Sequence, residues 1–372
     1  MDTESPSFAT PETTTPAATS PLPGSPTASS SISTTTSSSI TASVSRAQTV
    51  IESLSAIITD LPSHIASSDD PAQDLLHNEK VATQISDLLR QPGSGAGDNP
   101  LCRWLYDTFQ TTDPALQLVV LHHLPTIAGT YLSRVAHDRS LAGFEAVLLA
   151  LYAHETTARG GQSVSVNVPD LSHPSVYHES KEPSKSNATG LHLAVISPSL
   201  EPYGTVRSTR RARIIGVALE LYYSKISQMP IRSKTDFCEF CEVWAGLDGS
   251  IYDDGEEDDD AKGGKEHDQA DGEAESRKEK GRKEAGRITL LWELLQPVLR
   301  ILGHCLLGPV RNKELQTAAS AACRSLYTRA LHDINPKAIL ATESLLRLSK
   351  MSISAENEAD PTEISQSNII IL

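Results

Sequence analysis

No apolar run of 18 or more residues occurs in this chain, so no segment is read as a membrane-crossing helix. A basic start followed by an apolar centre, the mark of a secretory signal, is also missing. Cysteine is scarce and dispersed: five residues, at 102, 238, 241, 305 and 323, cannot build a secreted disulfide scaffold, and reduced thiols are expected. Asn187-Ala188-Thr189 matches a glycosylation acceptor that would stay unused in such a setting. The expected location is the cytosol, as a soluble protein.

Residues 1–45 lack Lys and Arg altogether and have almost no aromatic side chain, while 30 of them are Ser, Thr or Pro. Such a stretch cannot bury enough apolar surface to offset the ordering of its backbone, and a disordered tail is expected. A transit peptide would carry arginine and avoid acids, whereas Asp2, Glu4 and Glu12 come early and Arg46 comes late. A second polar stretch, 248–287, has seven acids among residues 253–260 followed by a Lys/Arg-rich block at 277–287. It reads as a disordered charged linker. With 15 acids and 8 bases it holds -7 of the formal -15, so half the net charge says little about any binding face.

Catalytic signatures are missing too: there is no Walker GxxxxGK[ST], GxSxG elbow, HExxH or kinase HRD/DFG set, and "GSGAG" at 93–97 is a polar loop without the Lys and Ser/Thr that hold phosphate. No catalytic, cofactor-binding or metal residue is assigned, and no cofactor is expected. Cys238-Glu239-Phe240-Cys241 has the spacing of half a zinc or redox site, but no second CxxC or His pair follows, and a helical stripe accounts for Cys241 as core. His122 and His123 are adjacent, so on one continuous helix they diverge by about 100° and could not easily share a metal.

Helical periodicity fills the rest. Amphipathic helices are predicted at 45–60 and 72–90, and Asp113-Pro114 caps the helix "ALQLVVLHHL", which Pro125 should end or kink. Another follows at 126–136, and "LAGFEAVLLALYAHE" puts Leu141, Phe144, Val147, Leu148 and Leu151 on one stripe. Residues 162–168 and 191–196 alternate as strands do and suggest a small hairpin. Ser233 with Asp236 reads as a capping box for the helix bearing Phe237, Phe240, Cys241 and Trp244. After the linker come three helices, marked by Leu291 to Cys305, by Leu315 to Leu326, and by residues 336–350. No period of 30 to 50 residues repeats. The expected fold class is all-α: an irregular multi-helix domain with one small β-hairpin, in two parts (46–247 and 288–352), with a disordered N-terminal tail, the internal linker and a flexible end at 353–372.

"TVRSTRRARIIGVALELYYSKISQMP" (205–230) places Arg207, Arg210, Arg211 and Arg213 at the start of a helix whose Ile214, Val217, Ala218 and Leu221 form a buried arc. Cations at a helix start oppose its macrodipole, at about 0.3–1 kcal/mol each when exposed. Three answers remain open: acidic neighbours of the same fold or a partner protein, anionic lipid headgroups, or nucleic acid, the last disfavoured by an acidic chain without a reading motif.

Several stretches carry a resemblance: "LYDTFQTTDPALQLVVLHHLPTIAGTYL" (105–132), "GFEAVLLALYAHE" (143–155), "VPDLSHPSVYHE" (168–179) and "ALELYYSKISQMP" (218–230). In their order and spacing they resemble the hyccin family over most of residues 100–350, excluding the linker. The tail and the linker are not part of the shared core. The resemblance implies a helical, non-catalytic subunit that assembles with a tetratricopeptide-repeat scaffold and a membrane-anchored adaptor. In that role it stabilises the type III alpha phosphatidylinositol 4-kinase at the plasma membrane and supports phosphatidylinositol 4-phosphate production. The plant branch, to which the sequence is most similar, implies a calmodulin-binding scaffold. Membrane association would then be peripheral, through partners. Leu171, Pro174, Tyr177 and His178 form a candidate partner-interface loop, because Pro fixes the backbone around them. The competing reading is a peripheral adaptor that holds anionic phospholipids with Arg207, Arg210, Arg211 and Arg213. An enzyme ranks third.

Overall fold

The computed structural model describes residues 32–135, 141–169, 191–246, 289–309 and 311–355. The chain divides into two compact units, Met1–Ala42 and Ser43–Leu372. Of the first, only the start of helix α1 (Ile32–Ser55) is described. That helix begins inside the stretch 1–45. The charged linker and the segment after residue 355 lie outside the described residues.

Four helices of the second unit open with an Asp-Pro or Asn-Pro pair. They are α3 (Pro71–His77), α5 (Pro100–Gln110), α6 (Pro114–His122) and α13 (Pro336–Ala355). In each, the side-chain oxygen of Asp70, Asn99, Asp113 or Asn335 accepts a hydrogen bond from a first-turn N–H, at 3.0–3.2 Å. Proline supplies the fixed φ and has no N–H to leave unpaired. Asn78 does the same for α4 (Glu79–Arg90), accepting from Val81 N at 3.0 Å. Its extended backbone splits the helix predicted at 72–90 into two. Pro125 falls in the first turn of α7 (Leu124–Arg134), so the predicted break lies at His123.

The remaining helices are α2 (Ser63–Ala66), α8 (Ala142–Ala158), α9 (Arg211–Ser224), α10 (Ile231–Ala245), α11 (Trp292–Leu307) and α12 (Lys313–His332). α9 is central: every residue from Ile214 to Tyr222 is buried, as it packs on α8 and α11. Gly216 makes this approach feasible, because a Cβ there would collide with the carbonyl oxygen of Glu293. α10 packs against α7 on one side and α12 on another, and α13 lies on α11 and α12. One continuous apolar core runs from Ala47 to Ala338 and so joins the helices before and after the linker.

The helix bearing Phe237 does not start with a capping box. Its N-cap is Pro230, without a side-chain bond, and Ser233 lies inside the helix. The Ser233 hydroxyl instead donates to His122 O at 2.7 Å and meets the Tyr222 hydroxyl at 3.0 Å, in the core. A buried hydroxyl with two internal partners outweighed the local capping pattern.

The β element is an antiparallel pair, β1 (Val164–Pro169) and β2 (Leu191–Ser197), with Asn167 opposite Leu193 and Val166 opposite Ala194. Its register is irregular between Val164 and Ser165.

Candidate functional site

Three of the four arginines have aromatic or carbonyl partners within the fold. Arg210, the N-cap residue of α9, lays its guanidinium over the Tyr203 ring, 4.2 Å from the centroid, and Tyr203 stacks on Tyr152 at 5.1 Å. Tyr152 donates to the carbonyl of Glu201 at 2.7 Å. Arg211 Nε donates to the Tyr131 hydroxyl at 3.0 Å, and that hydroxyl donates to Glu145 Oε1 at 3.0 Å. Burial pushes the Tyr131 phenol up to about 12, so it stays protonated and able to donate to Glu145. Arg213 donates to the carbonyl of Pro198 at 2.8 Å, at the foot of β2.

Among the described residues no carboxylate pairs directly with Arg207, Arg210, Arg211 or Arg213. Within the fold Arg210 meets an aromatic face and Arg213 a carbonyl, and Arg211 reaches a carboxylate through a phenol. This also relieves the conflict at the helix start, since a cation over a ring face gains about 0.5–1 kcal/mol at an exposed site. Arg207 and Arg210 remain solvent-exposed. Sequence reasoning missed Tyr131 and Tyr203, because nothing in their local spacing points to an arginine 80 or 7 residues away.

The foot of the hairpin is held by a half-buried ion network. Arg159 pairs with Glu220 at 2.9 Å and with Glu155 one helical turn before it, and donates to the Ser197 hydroxyl at 2.9 Å. The strands beyond are exposed: Leu191, Leu193 and Val195 at 62%, 70% and 57%, and Val164, Val166 and Val168 at 36–39%. Leu171, Pro174, Tyr177 and His178, the candidate interface loop, lie outside the described residues.

Cys238 and Cys241 are buried on the inner side of α10, and Cys305 of α11 and Cys323 of α12 are their electrostatic neighbours. Chain distance hid this grouping of four thiols. The Cys305 hydrogen bond together with burial raises the Cys238 thiol, burial raises Cys241, and burial pushes Cys323 up to about 12. Thiols so raised stay protonated, which is a poor state for a nucleophile or a metal ligand. Among the described residues no group of three or more His, Cys, Asp or Glu is arranged to hold a metal ion.

His122 and His123 stack, with ring centroids 4.7 Å apart, contrary to the divergence expected on a continuous helix. The reason is the break between α6 and α7, which falls at this pair. Burial pushes His122 down to about 4 and His123 well below its usual value, so both are neutral near pH 7.

A cleft of about 240 Å³ between α7 and α10 is lined by Arg90, Arg134, Asp236, Glu239, Phe240 and Val243, among others. Its two arginines already have partners within the fold. Arg90 sits 2.9 Å from Glu239 and 3.7 Å from Asp236, and Arg134 donates to the carbonyls of Arg90, Gln91 and Ser94. No helix of the described residues is long and apolar enough to cross a membrane.

The hyccin family model matches residues 66–369, most of the chain and nearly all of its described helices. The chain belongs to the hyccin family.

Proposed function

We propose that this chain is a non-catalytic regulatory and scaffolding subunit of a type III alpha phosphatidylinositol 4-kinase complex. It would bury apolar surface against a tetratricopeptide-repeat scaffold and so stabilise the kinase and help hold it at the plasma membrane. The family match over residues 66–369 carries the reading. The fold agrees with it: Arg90 and Glu239 of the cleft pair with each other and the Ser233 hydroxyl is bonded within the core, while apolar side chains of the hairpin face outward. Contact with the bilayer would come through a membrane-anchored adaptor.

The test is assembly from purified components. The full chain is expected to co-elute with the scaffold subunit and to raise the recovery of soluble kinase. A well-folded sample that elutes alone in the presence of all three partners overturns the reading.

A second reading rests on Arg207 and Arg210, which are exposed and have no carboxylate partner among the described residues. As a peripheral adaptor the chain would hold anionic headgroups with these residues, with Arg211 and Arg213 behind them. Clustered cations near an anionic bilayer contribute about 1 kcal/mol each, and salt weakens them. Sedimentation with phosphatidylserine vesicles distinguishes the two. The adaptor binds without protein partners, loses binding in high salt, and loses it when Arg207 and Arg210 become Glu.

A further inference from the structure

Arg207 is the exception among the four arginines at the start of α9. Among the described residues its guanidinium has no hydrogen bond, ion pair or ring beneath it, and it is exposed. Arg210 is engaged through its face, over Tyr203, so the N–H groups at the edge of its guanidinium are still open. Two cations with free donors therefore flank the pair Ser208-Thr209. Both residues are exposed, and among the described residues neither hydroxyl has a hydrogen-bond partner.

The backbone presents these hydroxyls. The N–H groups of Arg210 and Arg211 both donate to the carbonyl of Arg207 at 2.9 Å, which folds 207–211 into one turn with Ser208 and Thr209 inside it. No side chain from Arg207 to Arg210 is buried, so this turn opens with the loss of few contacts and can enter the cleft of an enzyme. Arg207 lies two positions before Thr209, and Arg210 and Arg211 follow it directly. A cleft that selects this segment is acidic, and the groups it meets are hydroxyls between cations. The formal charge of the chain is -15, so this run of cations is a local feature and not the character of the whole surface.

We propose that Ser208-Thr209 is a phosphorylation site for an arginine-directed protein kinase, and that the added phosphate pairs with Arg207 and Arg210. In the transfer, the side-chain Oγ attacks the γ-phosphorus of Mg-bound ATP. The new Oγ–P bond forms as the bond from that phosphorus to the bridging oxygen breaks, ADP leaves, and the hydroxyl proton passes to the base of the kinase. The product carries about -1.5 to -2 charges near pH 7, close to what the two open cations neutralise, and guanidinium edges bind such oxygens in pairs. The phosphate also lies beside the N-cap of α9, so it brings this helix start the negative charge that its arginines oppose. An anion held there covalently excludes any other, whether a lipid headgroup or an acidic protein. The site thus regulates the arginine patch of the second reading above, but its acceptor chemistry does not depend on that reading.

The test combines the full-length chain with Mg-ATP and the catalytic domain of protein kinase C, which selects basic residues on both sides of its acceptor, and maps the sites by mass spectrometry. Phosphate is expected at Ser208 or Thr209, and S208A/T209V is expected to abolish it in this segment. R207Q/R210Q is expected to slow incorporation there by about tenfold or more. Unchanged thermal unfolding of both variants shows that the fold survives. The pairing is read by phosphorus NMR, on the resonance that S208A/T209V lacks. That phosphate is expected to lose its second proton at lower pH than in R207Q/R210Q driven to completion, because neighbouring cations favour the dianion. A folded chain that stays unmodified at both residues overturns the proposal, and a synthetic peptide of residues 203–214 that does accept phosphate then shows that the fold hides the hydroxyls. Equal titration with and without the two arginines also overturns it. Failure of the unmodified chain to sediment with phosphatidylserine vesicles overturns the adaptor reading alone, and mapping and titration still decide the phosphorylation site.

Discussion

α9 and the hairpin are neighbours, clasped by Arg213 at Pro198, yet they use similar side chains in opposite ways. Ile214, Val217 and Leu219 of α9 are fully buried, whereas Leu191, Leu193 and Val195 of β2 are among the most exposed apolar residues described. The difference lies in the neighbours. α9 is packed by α8 and α11, whereas the main packing of each strand among the described residues is against the other strand. Apolar content therefore does not locate a core. Apolar surface with internal partners stabilises the chain itself, and the same surface without them is available to another molecule.

The comparison breaks if buried and exposed apolar residues prove equally important for stability. Phe237 is fully buried against Tyr222 and Phe240, and Phe237→Ala is expected to cost about 3–5 kcal/mol in equilibrium urea unfolding. Acid should weaken the same helical region next. His122 has its folded value at about 4, below the unfolded 6.5, so the unfolded chain binds more protons between these pH values. Stability is then flat above about pH 6.5 and falls by up to about 3 kcal/mol as pH drops to 4. Burial of His123 adds loss in the same direction. Urea midpoints measured from pH 7.5 to 4, with His122→Gln showing a shallower slope, check this.

Gly216→Ala sharpens the comparison from the side of close packing. Alanine in a helix is ordinarily favoured over glycine by about 1 kcal/mol, but here its Cβ meets the Glu293 carbonyl. A net loss of about 1–3 kcal/mol is expected, seen as a lowered unfolding midpoint. Leu193→Lys should have the smallest effect: within about 0.5 kcal/mol of wild type in the isolated chain, despite removing a large apolar side chain. A loss comparable to that of Phe237→Ala would show that the hairpin is covered internally and would remove the distinction.

Local chemistry made much of the fold legible. Asp113-Pro114 encodes a helix start within two residues, and the 3.6-residue stripe of "LAGFEAVLLALYAHE" needs no distant partner to be recognised. Alternation located both strands to within two residues. Where a side chain had a choice between a local and a distant partner, the sequence misled. Ser233 could cap its own helix, but the His122 carbonyl and the Tyr222 hydroxyl claimed it. The candidate site was legible in part. The arginines were evident from charge against an apolar arc, but their tyrosine partners were not.

Element type, the Asp113-Pro114 helix start and the family resemblance follow from this amino-acid order alone, because capping, periodicity and motif spacing act over a few residues. Which apolar faces meet, which thiols gather, and which strand side chains are exposed were decided only by the tertiary structure. Burial depends on what another part of the chain brings alongside, and a single helix face or strand face does not encode its own neighbour.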